Sequence, residues 1–273
     1  MIEEIINEIT ASLQECSFIE GVVLGGSRAT RTATEASDID IGIYYHSDKL
    51  DYDKLNTAAK ELDDTHRENL ISREGQWGNW VNCGGWLVIK GYQVDLILRD
   101  IKRVEKIIDQ TDKGITTSNY QPGHPHAYID VMYRGELASS KILYSRDSYF
   151  LQLKKRAEKY PEVLRKALID FFSFEADFSS MLAEKYSNSQ DSYYIAGHMF
   201  RSVSALNQVL FAFNRVWCLN EKKAIFRIDT FEYKPEGYSE KVNYIFDTIG
   251  KSQAASAKKL RQLCEEVAEV TGT

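Results

Sequence analysis

Two aspartates one residue apart, Asp38 and Asp40, interrupt a run that otherwise reads Ile-x-Ile-Gly-Ile-Tyr-Tyr. In a strand, alternation puts Asp38, Asp40 and Gly42 on one face and Ile39, Ile41 and Ile43 on the other. Carboxylates at that spacing repel, and clustering them without a counter-charge is costly. A divalent cation relieves the cost: Mg²⁺ takes oxygen ligands and is held by one or two carboxylates together with substrate phosphates. Asp95, in the apolar stretch QVDLIL, is the candidate third carboxylate. Ten residues separate Asp38 from Ser27, which stands at the end of Gly25-Gly26-Ser27. Backbone N–H groups at a glycine turn that opens a helix favour an anion, and a serine hydroxyl adds a donor. Arg28 reads equally as a phosphate contact or a structural charge. Triphosphate at Gly25, Gly26 and Ser27 with two Mg²⁺ ions at Asp38, Asp40 and Asp95 describes two-metal nucleotidyl transfer. A hydroxyl attacks and pyrophosphate leaves.

The elements that must position these groups are legible in outline. Ile2, Ile5, Ile6, Ile9, Leu13 and Cys16 form the apolar side of a helix over 2–16. Gly21–Leu24 reads as a short buried strand ending at the glycine turn, and Asp38–Tyr45 as a second. Residues 51–63 read as a helix, and GQWGNWVNCGGW (75–86) as a loop or irregular strand. WLVIKGYQVDLILRD reads as a hairpin turning at Lys90-Gly91, with Gln93, Asp95 and Ile97 on one face. Residues 100–110 read as a helix and 118–125 as a loop. After about 147, glycine nearly vanishes and helical periodicity takes over. Pro161 suits the first turn of a helix to about 186. Ser189 or Asp191 caps another to about 219, and two more follow near 238–249 and 252–269. The expected fold is α/β (α+β): a small mixed-sheet domain over 1–147, then an antiparallel helical bundle over 148–273.

Composition bounds the class. The 273 residues are 43% hydrophobic and 27% charged, the balance of a globular protein. No apolar run approaches a membrane span, and the opening MIEEIINEIT lacks a basic secretory start, so the expected location is the cytoplasm. Cysteines 16, 83, 218 and 264 form no CxxC pair, which argues against a disulfide framework or a cysteine-rich zinc site. The net charge of −6 is uneven, −8 over residues 1–150 and +2 over 151–273. No basic face for nucleic acid is evident.

Gly-Ser, ten residues, then Asp-x-Asp between apolar residues resembles the signature of the DNA polymerase β-like nucleotidyltransferase superfamily. The short first domain with a helical bundle behind it resembles the antibiotic nucleotidyltransferase branch, which adenylylates aminoglycosides or lincosamides. That resemblance implies magnesium at Asp38, Asp40 and Asp95, phosphates at Gly26 and Ser27, and a carboxylate as general base. It further implies AMP transfer from ATP to a hydroxyl of a small-molecule acceptor bound by the helical domain, and a homodimer. The loop RATRTATEAS departs from the pattern in lacking a glycine, which bears on loop shape. Other readings are nucleotidylation of a protein or RNA end, and a non-catalytic nucleotide-binding protein. Three intact aspartates argue against the last.

Further residues leave alternatives open. The general base is Asp95, Glu175 or Asp177; the last two interrupt a phenylalanine-rich helix, where apolar surroundings would raise a carboxyl pKa. Against that stands an ordinary solvated helix face. His124 and His126 have the short spacing of metal ligands, yet no nearby carboxylate or cysteine completes a set, so they read as loop histidines. Trp77, Trp80 and Trp86 read either as stacking surfaces for a ring or as packing.

Overall fold

The computed structural model describes residues 1–30, 32–35, 37–189 and 191–273; Arg31 and Ala36 of the loop without glycine lie outside this set. In chain order the elements are α1 (Ile2–Gln14), β1 (Ile19–Leu24), α2 (Gly26–Ala29), β2 (Ile39–Tyr45), α3 (Tyr52–Leu62), β3 (Cys83–Ile89), β4 (Tyr92–Asp100) and α4 (Ile101–Thr111). Then come β5 (Ser118–Asn119), β6 (Tyr128–Ile129), α5 (Val131–Ser139), β7 (Lys141–Ser145) and α6 (Ser148–Glu158). The helical remainder is α7 (Glu162–Lys185), α8 (Ser192–Phe213), α9 (Ala224–Ile228), α10 (Tyr238–Thr248) and α11 (Gln253–Thr271). No helix among the described residues is long and apolar enough to cross a membrane.

The chain divides into two compact units. The first comprises Met1–Gln110, Thr117–Gly123 and Tyr128–Lys159; the second comprises Thr111–Thr116, His124–Ala127 and Tyr160–Thr273. The first unit thus runs past residue 147, where the sequence places the boundary. Phe150 of α6 explains this: its ring fills the space where a side chain on Gly21 of β1 would lie.

Five strands of the first unit form one mixed sheet in the order β3-β4-β2-β1-β7. β2 and β4 run parallel, and the other neighbours are antiparallel. Period-two alternation sends Ile39, Ile41 and Ile43 of β2, Val94, Leu96 and Leu98 of β4, and Cys83, Leu87 and Ile89 of β3 into one core. Ile5, Ile9 and Leu13 of α1 and Leu55 and Ala59 of α3 complete it. The opposite face carries Asp40, Gly42, Asp95 and Trp86. β3 begins inside the glycine-rich stretch because Gly84 and Gly85 suit close packing. A Cβ on Gly84 would strike the Trp77 ring and the Leu96 carbonyl, and one on Gly85 would press on Leu70.

In the second unit α7 and α8 pack as a helical hairpin, with α11 against both and α10 against α11. Pro161 lies just outside α7 as its N-cap residue, and Asp191 caps α8 by accepting from the Tyr194 N–H at 3.1 Å. α8 ends at Phe213, six residues short of the expected 219. Arg215 adopts φ +53 and donates its N–H to the Ala212 carbonyl, while the Val216 N–H reaches Phe211. That is a Schellman stop built without glycine.

Candidate active site

The parallel register of β2 and β4 sets Asp40 directly beside Asp95. The antiparallel register of β3 and β4 sets Trp86 beside Asp95 on the other side. Paired positions share a face, so Trp86, Asp95 and Asp40 form a row across three strands. The Gly25 N–H donates to the Asp40 carbonyl at 2.8 Å, which ties the glycine turn to the same row. Asp38 stands just before β2 and is exposed.

The turn fits the row closely. Gly26 adopts φ +57, and a Cβ there would overlap the Asp40 carboxylate, so only glycine brings this backbone so near the acid. Gly25 is the N-cap of the single-turn α2. Its own N–H is committed to the strand, whereas the amides of Gly26, Ser27 and Arg28 begin a helix and lack intrahelical partners. The Arg28 guanidinium donates through Nε to the Asp38 carbonyl at 3.0 Å and through Nη2 to the Ser37 carbonyl. It therefore braces the far end of the loop that leads into β2.

Burial pushes the Asp95 carboxyl up to about 6, and the charges of Asp40 and then Asp38 add to the rise. The three acids thus feel one another. As they stand, no trio of His, Cys, Asp or Glu among the described residues is gathered to hold a metal ion. The donor chemistry nonetheless suits a hard cation: carboxylate oxygens, mutual repulsion that a positive charge relieves, and a side-chain-free approach at Gly26.

Residues 3–116 match the family model of the nucleotidyltransferase domain. This domain contains the whole row and the glycine turn, and it supports membership of the superfamily. The match does not reach the antibiotic branch. No curated protein sequence matches the chain. The crystal structure of a nucleotidyltransferase-like protein from Exiguobacterium sibiricum 255-15 aligns with all of this chain and 77% of its own, at 10% identity and a TM-score of 0.46, a likeness too loose to carry weight.

The three tryptophans within the matched domain, residues 3–116, separate. Trp80 packs among Tyr128 and Tyr133, with the Arg103 guanidinium 4.3 Å over its ring. Trp77 lies over Gly84 and stacks on Trp86 at 4.5 Å. Trp86 is 60% exposed.

Outside that domain, Glu175 and Asp177 part company. Glu175 is buried, against the expectation of a solvated face, and is paired with Arg201 at 2.6 Å and His126 at 3.1 Å. Burial pushes its pKa up, but these two partners outweigh burial and hold it below the ordinary carboxylate value. The upward shift that apolar surroundings alone would give is thus reversed. Asp177 is exposed and bound to Arg261 at 2.6 Å. His124 faces Glu221 at 3.5 Å. Carboxylates distant in sequence therefore do meet both histidines, which proximity along the chain could not reveal.

Proposed function

We propose that this chain is a Mg²⁺-dependent nucleotidyltransferase that moves a nucleoside monophosphate, AMP from ATP in the first instance, to a hydroxyl of a small molecule. The observation that carries the reading is the Asp40–Asp95 pair, side by side on parallel strands with the Gly25–Gly26 backbone pressed against Asp40. Asp38, Asp40 and Asp95 would hold the cation, which when bound neutralises the carboxylates and favours the charge on the entering and leaving oxygens. The N–H groups of Gly26, Ser27 and Arg28 face the phosphates, and the Arg28 side chain fixes the loop that presents Asp38. Asp95 takes the proton of the acceptor hydroxyl. The oxygen's electron pair forms the bond to the α-phosphorus, the bond to the bridging oxygen breaks, and that pair leaves with pyrophosphate. Glu175 is less suited as base, because its carboxylate is already paired twice.

Aminoglycosides and lincosamides are the first acceptor classes to test; the acidic balance of residues 1–150 suits a cationic acceptor. The experiment is pyrophosphate release from Mg·ATP, then from the other nucleotides, against both classes, with Asp40→Asn as control. Release that needs one acceptor and Asp40 supports the reading. Equal release by Asp40→Asn and wild type overturns it. Silence across the panel, with Mg·ATP still bound, redirects the search to a protein or RNA acceptor.

A further inference from the structure

We infer that Trp86 is the acceptor platform of the site: its outer indole face stacks on a flat ring face of the acceptor, a pyranose or an aromatic ring. This rests on the nucleotidyltransferase reading above and deepens it. The glycine turn lies at one end, Asp40 follows, Asp95 is one strand further, and Trp86 one strand beyond that. Neighbouring strands lie about 4.8 Å apart, so Trp86 is about 10 Å from the strand of Asp40.

An in-line displacement places the entering and leaving oxygens on opposite sides of phosphorus. With the leaving pyrophosphate at the amides of the glycine turn, the entering hydroxyl comes from the Asp95 side. The group beyond Asp95 on that line is Trp86. The nucleoside is bonded to the phosphorus off this axis, so its base is not carried toward Trp86. What meets the indole is the body of the acceptor.

Trp86 is prepared for that task. A tryptophan 60% exposed on a strand, next to a half-buried carboxylate, needs a reason for not being folded away. One of its faces is backed by Trp77 at 4.5 Å and 19° between planes. Trp77 is fixed in turn: its N–H donates to the Asn82 carbonyl at 3.0 Å, its carbonyl accepts from Gln121 Nε2 at 2.5 Å, and Gly84 leaves room for its ring. The Trp86 carbonyl accepts from Arg67 Nη2 at 3.2 Å. The platform is rigid before a ligand arrives, so little ordering cost falls on binding.

The test compares wild type, Trp86→Ala, Trp86→Leu and Trp86→Phe. Mg·ATP binding is measured by calorimetry. Acceptor-side binding is followed by ligand-observed saturation-transfer NMR, which does not depend on the indole removed, with two probe sets: methyl glucoside and glucosamine as pyranoses, tyrosol and tyramine as aromatic rings. Steady-state constants follow with any acceptor found active. The expected result is binding of one probe set to wild type, lost in Trp86→Ala and Trp86→Leu and retained in Trp86→Phe. Acceptor KM rises about ten-fold or more in Trp86→Ala, the scale of one stacked ring. kcat and the Kd for Mg·ATP stay within about two-fold. A Kd for Mg·ATP that weakens ten-fold in Trp86→Ala overturns the assignment in favour of a base platform. Probe binding that survives Trp86→Leu, or silence of both probe sets in wild type, overturns it as well. If wild type does not bind Mg·ATP at all, the parent reading has failed. If it binds and only the acceptor results are negative, this inference alone has failed.

Discussion

Replacing Asp95 by Asn should stabilise the metal-free protein while abolishing turnover. Asp95 titrates at about 6 in the fold because burial and the charges of Asp40 and Asp38 disfavour its ionised form. A pKa raised from the ordinary 3.8 means that the native state holds the proton more tightly than the unfolded chain does. Stability therefore falls as pH rises from about 4 to about 6, and the cost is fully present above that window. The rise corresponds to ~3 kcal/mol at most. Partial exposure of the carboxyl screens it, so ~1–2 kcal/mol is the expected cost near pH 7.5. Asn has the shape of the protonated acid and escapes this cost. Melting of the first unit should rise by about 2–6 °C at pH 7.5 in EDTA, and not at pH 4, where Asp95 is already protonated. Calorimetric melts of both proteins across pH 4–8 measure this directly. Added Mg²⁺ should raise the wild-type melt and not that of Asp95→Asn. An Asn variant no more stable than wild type at pH 7.5, or one that keeps the wild-type slope between pH 4 and 6, refutes the reasoning.

Other perturbations have equally definite expectations. Gly26→Ala adds a Cβ where the Asp40 carboxylate lies and forces alanine to φ +57; it should lose ~1–3 kcal/mol in urea unfolding and Mg·ATP binding by calorimetry. Arg28→Ala frees the carbonyls of Ser37 and Asp38, so KM for the nucleotide should rise several-fold with little change in melting temperature. Glu175→Gln weakens the pairing with Arg201 and His126 in the second unit and should cost ~1–3 kcal/mol, read from urea unfolding at pH 7. Because the Glu175 pKa is lowered in the fold, its contribution is present above its ordinary value of 4.5 and lost as pH falls below that. The stability difference between wild type and Glu175→Gln should therefore shrink in acid.

The acids of the row were legible because a carboxylate in an apolar alternating stretch has few explanations. Asp40 and Asp95 announce themselves against isoleucine and leucine neighbours, and the glycine turn lies at a fixed distance from the first. Nothing local in the sequence, however, aligns β2 with β4 so that Asp40 meets Asp95. That register is set by the apolar face of both strands seeking one core. Which tryptophan faces outward was equally hidden: three lie within ten residues, and only packing sends Trp80 among Tyr128 and Tyr133 and leaves Trp86 exposed. The end of α8 escaped for a different reason, since its left-handed stop uses Arg215 where glycine is the usual sign. His126 and Glu175 are forty-nine positions apart, and their pairing rests on tertiary contact alone.

The shared register of β2 and β4 has a meaning for assembly as well as for chemistry. Seven consecutive positions pair, from Ile39 with Val94 to Tyr45 with Asp100. Slipping β4 by one residue would turn Asp95 into the core and Leu96 out to solvent. A carboxylate forced among the leucines and isoleucines of that core is heavily disfavoured, more so than any misplaced apolar side chain. Asp95 is thus a registration mark: its charge marks the misaligned sheet as wrong before any substrate exists. Correct folding and a complete site are the same event for this strand pair. A chain whose acids have been replaced by apolar residues would lose its chemistry and, with it, the penalty that keeps its strands in line.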